Sequence, residues 1–118
     1  MRIKSLFLAA LVGVAVAVML PFASPAIAGD IASGAQVFAG NCAACHIGGN
    51  NAVMANKTLK QDALEQYLEG YGSEHSVEAI VYQVTNGKNA MPSFSGRLTD
   101  AQIADVAAYV KDQAEKGW

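Results

Sequence analysis

Apolar residues recur at helical spacing in four stretches of the chain. Ile31, Ala35, Phe38 and Cys42 form the first stripe, behind Asp30 as a candidate N-cap. The second is shorter and runs through Leu64, Tyr67, Leu68 and Tyr71. Val77, Ile80, Val81 and Val84 share one face in the third, with Ser76 able to cap its start and Gly87 placed to end it. The last is the most regular: Ile103, Val106, Ala107, Val110 and Ala114. Ahead of it, Thr99-Asp100-Ala101-Gln102 has the T-x-x-Q form of a capping box. Two turn-rich loops lie between the stripes, Gly48-Gly49-Asn50-Asn51 and the segment from Gly87 through Pro92 to Gly96. No segment alternates as a strand would, and no internal repeat is visible. The pattern predicts a small all-α domain of about four helices with their apolar faces turned into one core.

The start of the chain follows a different logic. Met1-Arg2-Ile3-Lys4 is positively charged, 15 apolar residues run from Leu6 to Leu20, and Pro21 precedes the small-residue exit Ala26-Ile27-Ala28. This is the form of a secretory signal peptide cleaved after Ala28. A bilayer-crossing helix needs roughly 20 apolar residues, more than this run offers before proline stops it. Residues 1–28 are therefore expected to be removed, leaving one domain over 29–118 with no membrane span. The apolar fraction of 53% is inflated by the leader. A domain this small sits near the limit of what an apolar core alone can stabilise, so a bound group or metal is expected to help.

Charge narrows the partners. Lys57, Lys60, Lys88, Arg97, Lys111 and Lys116 face ten acidic side chains in residues 29–118, a net charge of −4 before any cofactor. That balance argues against nucleic acid and suits docking to a protein with a basic patch.

The chemistry is concentrated in Cys42-Ala43-Ala44-Cys45-His46, a C-x-x-C-H motif and the attachment signal for c-type haem. Two thiols must add across the two vinyl groups on one porphyrin edge, and two intervening residues let a turn of backbone span that edge. His46 is then carried under the ring, where an imidazole nitrogen can ligate the iron. Rival readings are a redox disulfide, which would want a βαβ pattern, and zinc, which would want four ligands where residues 29–118 hold two Cys and two His.

The second axial position of the iron decides between an electron carrier and an open site for oxygen or peroxide chemistry. Met54, Met91 and His75 are the candidates. Met91 lies far along the chain from His46, in a loop between helices, with Pro92 restraining it to extended backbone. Met54 follows His46 by eight residues and reads as pocket wall, and His75 lies in a polar stretch and reads as a solvated side chain. Met91 is the expected sixth ligand. A His/Met pair leaves no ligand to enter or depart and raises the reduction potential.

Gly34, Phe38, the haem motif, Gly48-Gly49-Asn50-Asn51, Tyr82-Gln83-Val84-Thr85-Asn86-Gly87-Lys88-Asn89-Ala90-Met91-Pro92 and Val106-Ala107-Ala108-Tyr109-Val110 together resemble class I c-type cytochromes, more narrowly the cytochrome c6 family of cyanobacteria and algae. The resemblance spans residues 29–118. It implies the small class I cytochrome c fold wrapped around one covalently attached haem c, with the first and last helices crossing beside it. Gly34 would allow that close approach, with Phe38 and Tyr109 packed there. It further implies that Gln83 sits beside the ring and tunes the iron, and that Arg97 lies near the haem and partner. The implied role is non-enzymatic: electrons taken from cytochrome f of the cytochrome b6f complex and delivered to photosystem I, in the thylakoid lumen. With no plastid transit segment ahead of the secretory signal, a prokaryotic lumen or periplasm is expected. The alternatives are a periplasmic donor to a terminal oxidase or, if Met91 does not bind, a small haem peroxidase or gas-binding protein. Glu69 to Ser76 is slightly longer than in some relatives, which leaves the helix boundaries there open.

Overall fold

The computed structural model describes residues 29–118, together with 13 and 15–17. The expected signal peptide and its cleavage point therefore fall almost wholly outside the described residues. Among the described residues there are five α-helices, in order α1 Ile31–Asn41, α2 Ala43–His46, α3 Gln61–Tyr67, α4 Val77–Asn86 and α5 Asp100–Lys116. A 3-10 turn, Ile47–Gly49, continues α2. The helix beyond the expected four is the single turn of the C-x-x-C-H motif itself. Among the described residues there is no strand, only isolated bridges between Lys88 and Met91 and between Ser95 and Leu98.

Two of the expected caps form in full. Asp30 Oδ1 accepts from the amides of Ala32 at 2.9 Å and Ser33 at 3.2 Å, starting α1. At α5, Thr99 Oγ1 accepts from Gln102 N at 3.1 Å while Thr99 N donates to Gln102 Oε1 at 2.9 Å. Each arrangement satisfies amides that have no partner inside the helix. Ser76 holds the N-cap position of α4, but its hydroxyl donates to the Glu78 carboxylate at 3.0 Å and caps no amide.

The core is built on α5, whose Ile103, Val106, Ala107, Val110 and Ala114 are all buried as the stripe requires. Helix α1 crosses it at Gly34, where a Cβ would overlap the Asp105 carbonyl and come within 2.8 Å of Tyr109 Cβ. Two further contacts fix the crossing. Asp30 N donates to Asp105 Oδ1 at 2.7 Å, and the Phe38 and Tyr109 rings stand 5.3 Å apart at a tilt. Leu64, Tyr71, Ile80, Val84, Phe94 and Leu98 complete the same core.

The second stripe is only partly helical. Helix α3 stops at Tyr67, and Leu68 is already extended. Tyr67 lies outside the buried core cluster: its hydroxyl accepts from Asn56 Nδ2 at 3.3 Å, and the Lys57 ammonium stands 5.7 Å from its ring centroid. Tyr71 is fully buried, but from a turn beyond the helix. Its hydroxyl donates to Gln61 Oε1 at 2.6 Å, a bond that satisfies the buried phenol.

Candidate metal centre

The C-x-x-C-H segment begins where α1 ends. Cys42 closes α1 and opens α2, donating its amide to Phe38 O at 2.9 Å and accepting from His46 N at 2.9 Å. One tight turn thus separates the two cysteines and presents His46 directly after them. The chain then reverses at Gly48, and Ala52 N returns to Cys45 O at 2.9 Å. His46 Nδ1 lies 2.9 Å from Asn50 O. A carbonyl oxygen only accepts, so Nδ1 carries the proton and Nε2 keeps a free lone pair. This is the tautomer that a metal-ligating histidine needs.

Met91 is placed by the end of α4. Gly87 has φ 70 and ψ 174, a backbone conformation essentially reserved for glycine. A Cβ there would lie 2.6 Å from both Met91 O and Ser93 N. The chain turns over Asn89, itself at φ 53, and Lys88 and Met91 exchange backbone bonds of 2.9 and 3.0 Å. Beyond Pro92 the segment is tied back onto α4: Ser93 Oγ donates to Thr85 O at 2.6 Å and Phe94 N to Val84 O at 3.0 Å. Met91 is half-buried, and Gln83 Nε2 lies 3.9 Å from its sulfur, a weak donor contact.

Both segments open into one cavity of about 380 Å³. Cys42, Cys45, His46, Met91 and Gln83 line it, along with Met54 and Arg97, and its walls include Phe38, Leu64, Ile80, Val84, Val106 and Val110. This donor set fits a covalently held haem. Two free thiols stand one turn apart, an imidazole has its second nitrogen available, a thioether sits on a fixed loop, and the walls are largely apolar. Burial pushes the Cys42 thiol up to about 11. The disulfide-exchange reading also wants a βαβ frame, and among the described residues there is no strand to build one. Among the described residues, no group of three His, Cys, Asp or Glu side chains could hold a metal, which removes the zinc reading there.

The remaining candidates separate cleanly. Met54 lies on the cavity wall. Arg97 lines the cavity with its guanidinium carbon 5.1 Å from the Phe94 ring centroid. His75 lies away from the cavity, and it is not the solvated side chain expected from its polar neighbours. It is half-buried and stacked at 5.4 Å on Tyr71. Gln61 Nε2 donates to its Nδ1 at 2.6 Å, and its Nε2 donates to Glu65 Oε1 at 2.6 Å. Both nitrogens are engaged.

Three residues have roles that residue type and spacing do not reveal. Asn50 acts through its backbone carbonyl, which no residue type announces. Asn51 orders the loop after the motif, its Nδ2 donating to Lys57 O at 2.8 Å and its Oδ1 accepting from Met54 N at 2.8 Å. Trp118, the only tryptophan, packs on Phe38 at 5.3 Å and donates to Leu59 O at 2.8 Å. An Asn beside two glycines and a lone terminal tryptophan were the available signals.

Comparison with known proteins identifies the family. A family model described as cytochrome C oxidase, cbb3-type, subunit III matches residues 29–110. Cytochrome c6 of Thermosynechococcus vestitus is 61% identical over 105 residues, covering 89% of each chain. Cytochrome c6 of Parathermosynechococcus lividus is 70% identical over 89 residues, 75% of this chain and 97% of that one. The solved structure of cytochrome c6 from the diatom Phaeodactylum tricornutum superposes with a TM-score of 0.73 at 57% identity, covering 76% of this chain and 100% of that one. The chain belongs to the cytochrome c6 family and so carries one covalently bound haem c with its iron.

Proposed function

We propose that this chain carries single electrons from cytochrome f of the cytochrome b6f complex to photosystem I in the lumen, with Cys42 and Cys45 as the haem attachment points and His46 and Met91 as the axial ligands. When bound, the haem supplies an iron that takes up and gives off one electron. Everything else falls to the polypeptide. Thioether links from the two cysteines hold the group, His46 offers Nε2, and Met91 offers its sulfur from a loop locked by Gly87. Gln83 donates toward that sulfur, withdrawing electron density from it and favouring the ferrous state. The apolar walls exclude water. If His46 and Met91 both held the iron, it would have no position left for a substrate, which suits a carrier and not an enzyme.

The observation that carries the reading is the shared cavity: the C-x-x-C-H segment and Met91, 45 residues apart, line the same space. The net charge of −4 on residues 29–118 supports docking to basic surfaces, where charge mainly steers the encounter. The apolar side chain of Ile47, 71% exposed, follows the motif and offers contact area. Export by residues 1–28, with cleavage after Ala28, completes the proposal. An intact mass equal to Gly29–Trp118 plus one haem is expected of the exported protein.

A second reading, a donor to a terminal oxidase, draws on the description of the matching family model. Flash kinetics separate the two. Reduced protein added to photosystem I particles is expected to speed re-reduction of the flash-oxidised centre in proportion to its concentration. No acceleration there, with rapid oxidation by an oxidase preparation, would reject photosystem I as the acceptor.

A further inference from the structure

We infer that Trp118 is a positioning residue for the imidazole of His46, acting through the backbone of Leu59, Gly49 and Asn50. The inference rests on His46 being an axial ligand, as proposed above. Trp118 Nε1 donates to Leu59 O at 2.8 Å. Leu59 N in turn donates to Gly49 O at 2.7 Å. The indole lies directly against Gly49, where a Cβ would overlap its ring. Asn50 comes next in the chain, and its carbonyl accepts from His46 Nδ1 at 2.9 Å. The last residue of the chain thus holds both strands of the loop that carries the carbonyl oriented toward the imidazole.

The other side of the indole is anchored just as firmly. Phe38 and Tyr109, the aromatic pair of the α1–α5 crossing, stand 5.3 and 5.9 Å from it. Trp118 therefore connects the rigid helix crossing to the loop after the haem motif. That connection matters because the partner of a ligating histidine's second nitrogen sets the ring's orientation and its basicity. A loop released from Trp118 lets the Asn50 carbonyl drift, and the Nδ1–H bond weakens.

The test uses the haem-loaded protein and Trp118→Phe, which keeps an aromatic ring but has no N–H. Solvent exchange of the His46 Nδ1–H is followed by proton NMR in the oxidised protein. Loss of one net hydrogen bond in the relay is expected to speed that exchange about fivefold. The reduction potential is expected to move upward as the imidazole becomes less basic. Ile103→Val loosens α5 without touching the loop and serves as the control for stability alone. Unchanged exchange in Trp118→Phe, or equal acceleration in Ile103→Val, would overturn the inference. Absence of hyperfine-shifted His46 ring protons in the unmutated protein would overturn the ligand reading itself, and the inference with it.

Discussion

Single residues set the position of each donor in the cavity, and Gly87 does so through its backbone. At φ 70 and ψ 174 it occupies a region that a side chain forbids, and its missing Cβ leaves room for Met91 O and Ser93 N at 2.6 Å. The sequence located Gly87 as a helix stop, but that it also governs where Met91 sits follows only from the dihedral angles. Gly87→Ala is expected to lower stability by about 2 kcal/mol and to weaken the proposed hold of the Met91 sulfur on the iron. Urea unfolding reads the first effect and the rate of exogenous imidazole binding the second. An unaltered midpoint with unaltered imidazole binding would show that Gly87 has no such role. His46 is governed differently. Its useful tautomer is fixed by the Asn50 carbonyl, a backbone group invisible to any reading of side-chain types.

At the scale of elements, legibility tracked how much of each helix's environment lies within its own sequence. Helix α5 was readable in full because its stripe and capping box are local patterns, and every stripe residue is buried. Helix α3 was not, because Tyr71 continues its periodicity by accident: the side chain is buried from a turn, held by Gln61. Ser76 was misjudged as a working cap because a carboxylate two residues away competes for its hydroxyl. His75 was misjudged because its partners, Gln61 and Glu65, are ten or more residues distant. The α1–α5 crossing was foreseen through the family resemblance, and its steric basis is now explicit at Gly34. Gly34→Val would drive a branched side chain into the Asp105 carbonyl. A loss of about 3 kcal/mol is expected. A urea midpoint within error of the unmutated protein would mean that the helices can separate there at little cost.

At the scale of the whole molecule, residues 29–118 gather their core and the cavity around the same helices, so stability and the proposed redox site share side chains such as Phe38 and Val106. Alkaline pH tests the core from outside the cavity. Burial, then the carboxylates of Glu115 and Glu65, hold the Tyr71 phenol above its ordinary value of 10.0. The folded chain therefore keeps this proton where the unfolded chain loses it. The stabilising contribution is complete below pH 10.0 and is lost as pH rises through the raised value. Tyr71→Phe is expected to unfold with a shallower pH dependence above pH 10.0, and superimposable alkaline profiles would refute that.

The central claim is that the polypeptide fills both axial positions of the iron, His46 from one segment and Met91 from the other. Carbon monoxide added to the reduced protein tests it most directly, with Met91→Ala run alongside. The expected result is an unchanged spectrum for the unmutated protein and prompt carbon monoxide binding, with a lowered reduction potential, for Met91→Ala. Prompt binding by the unmutated protein, or no difference between the two, would contradict the account.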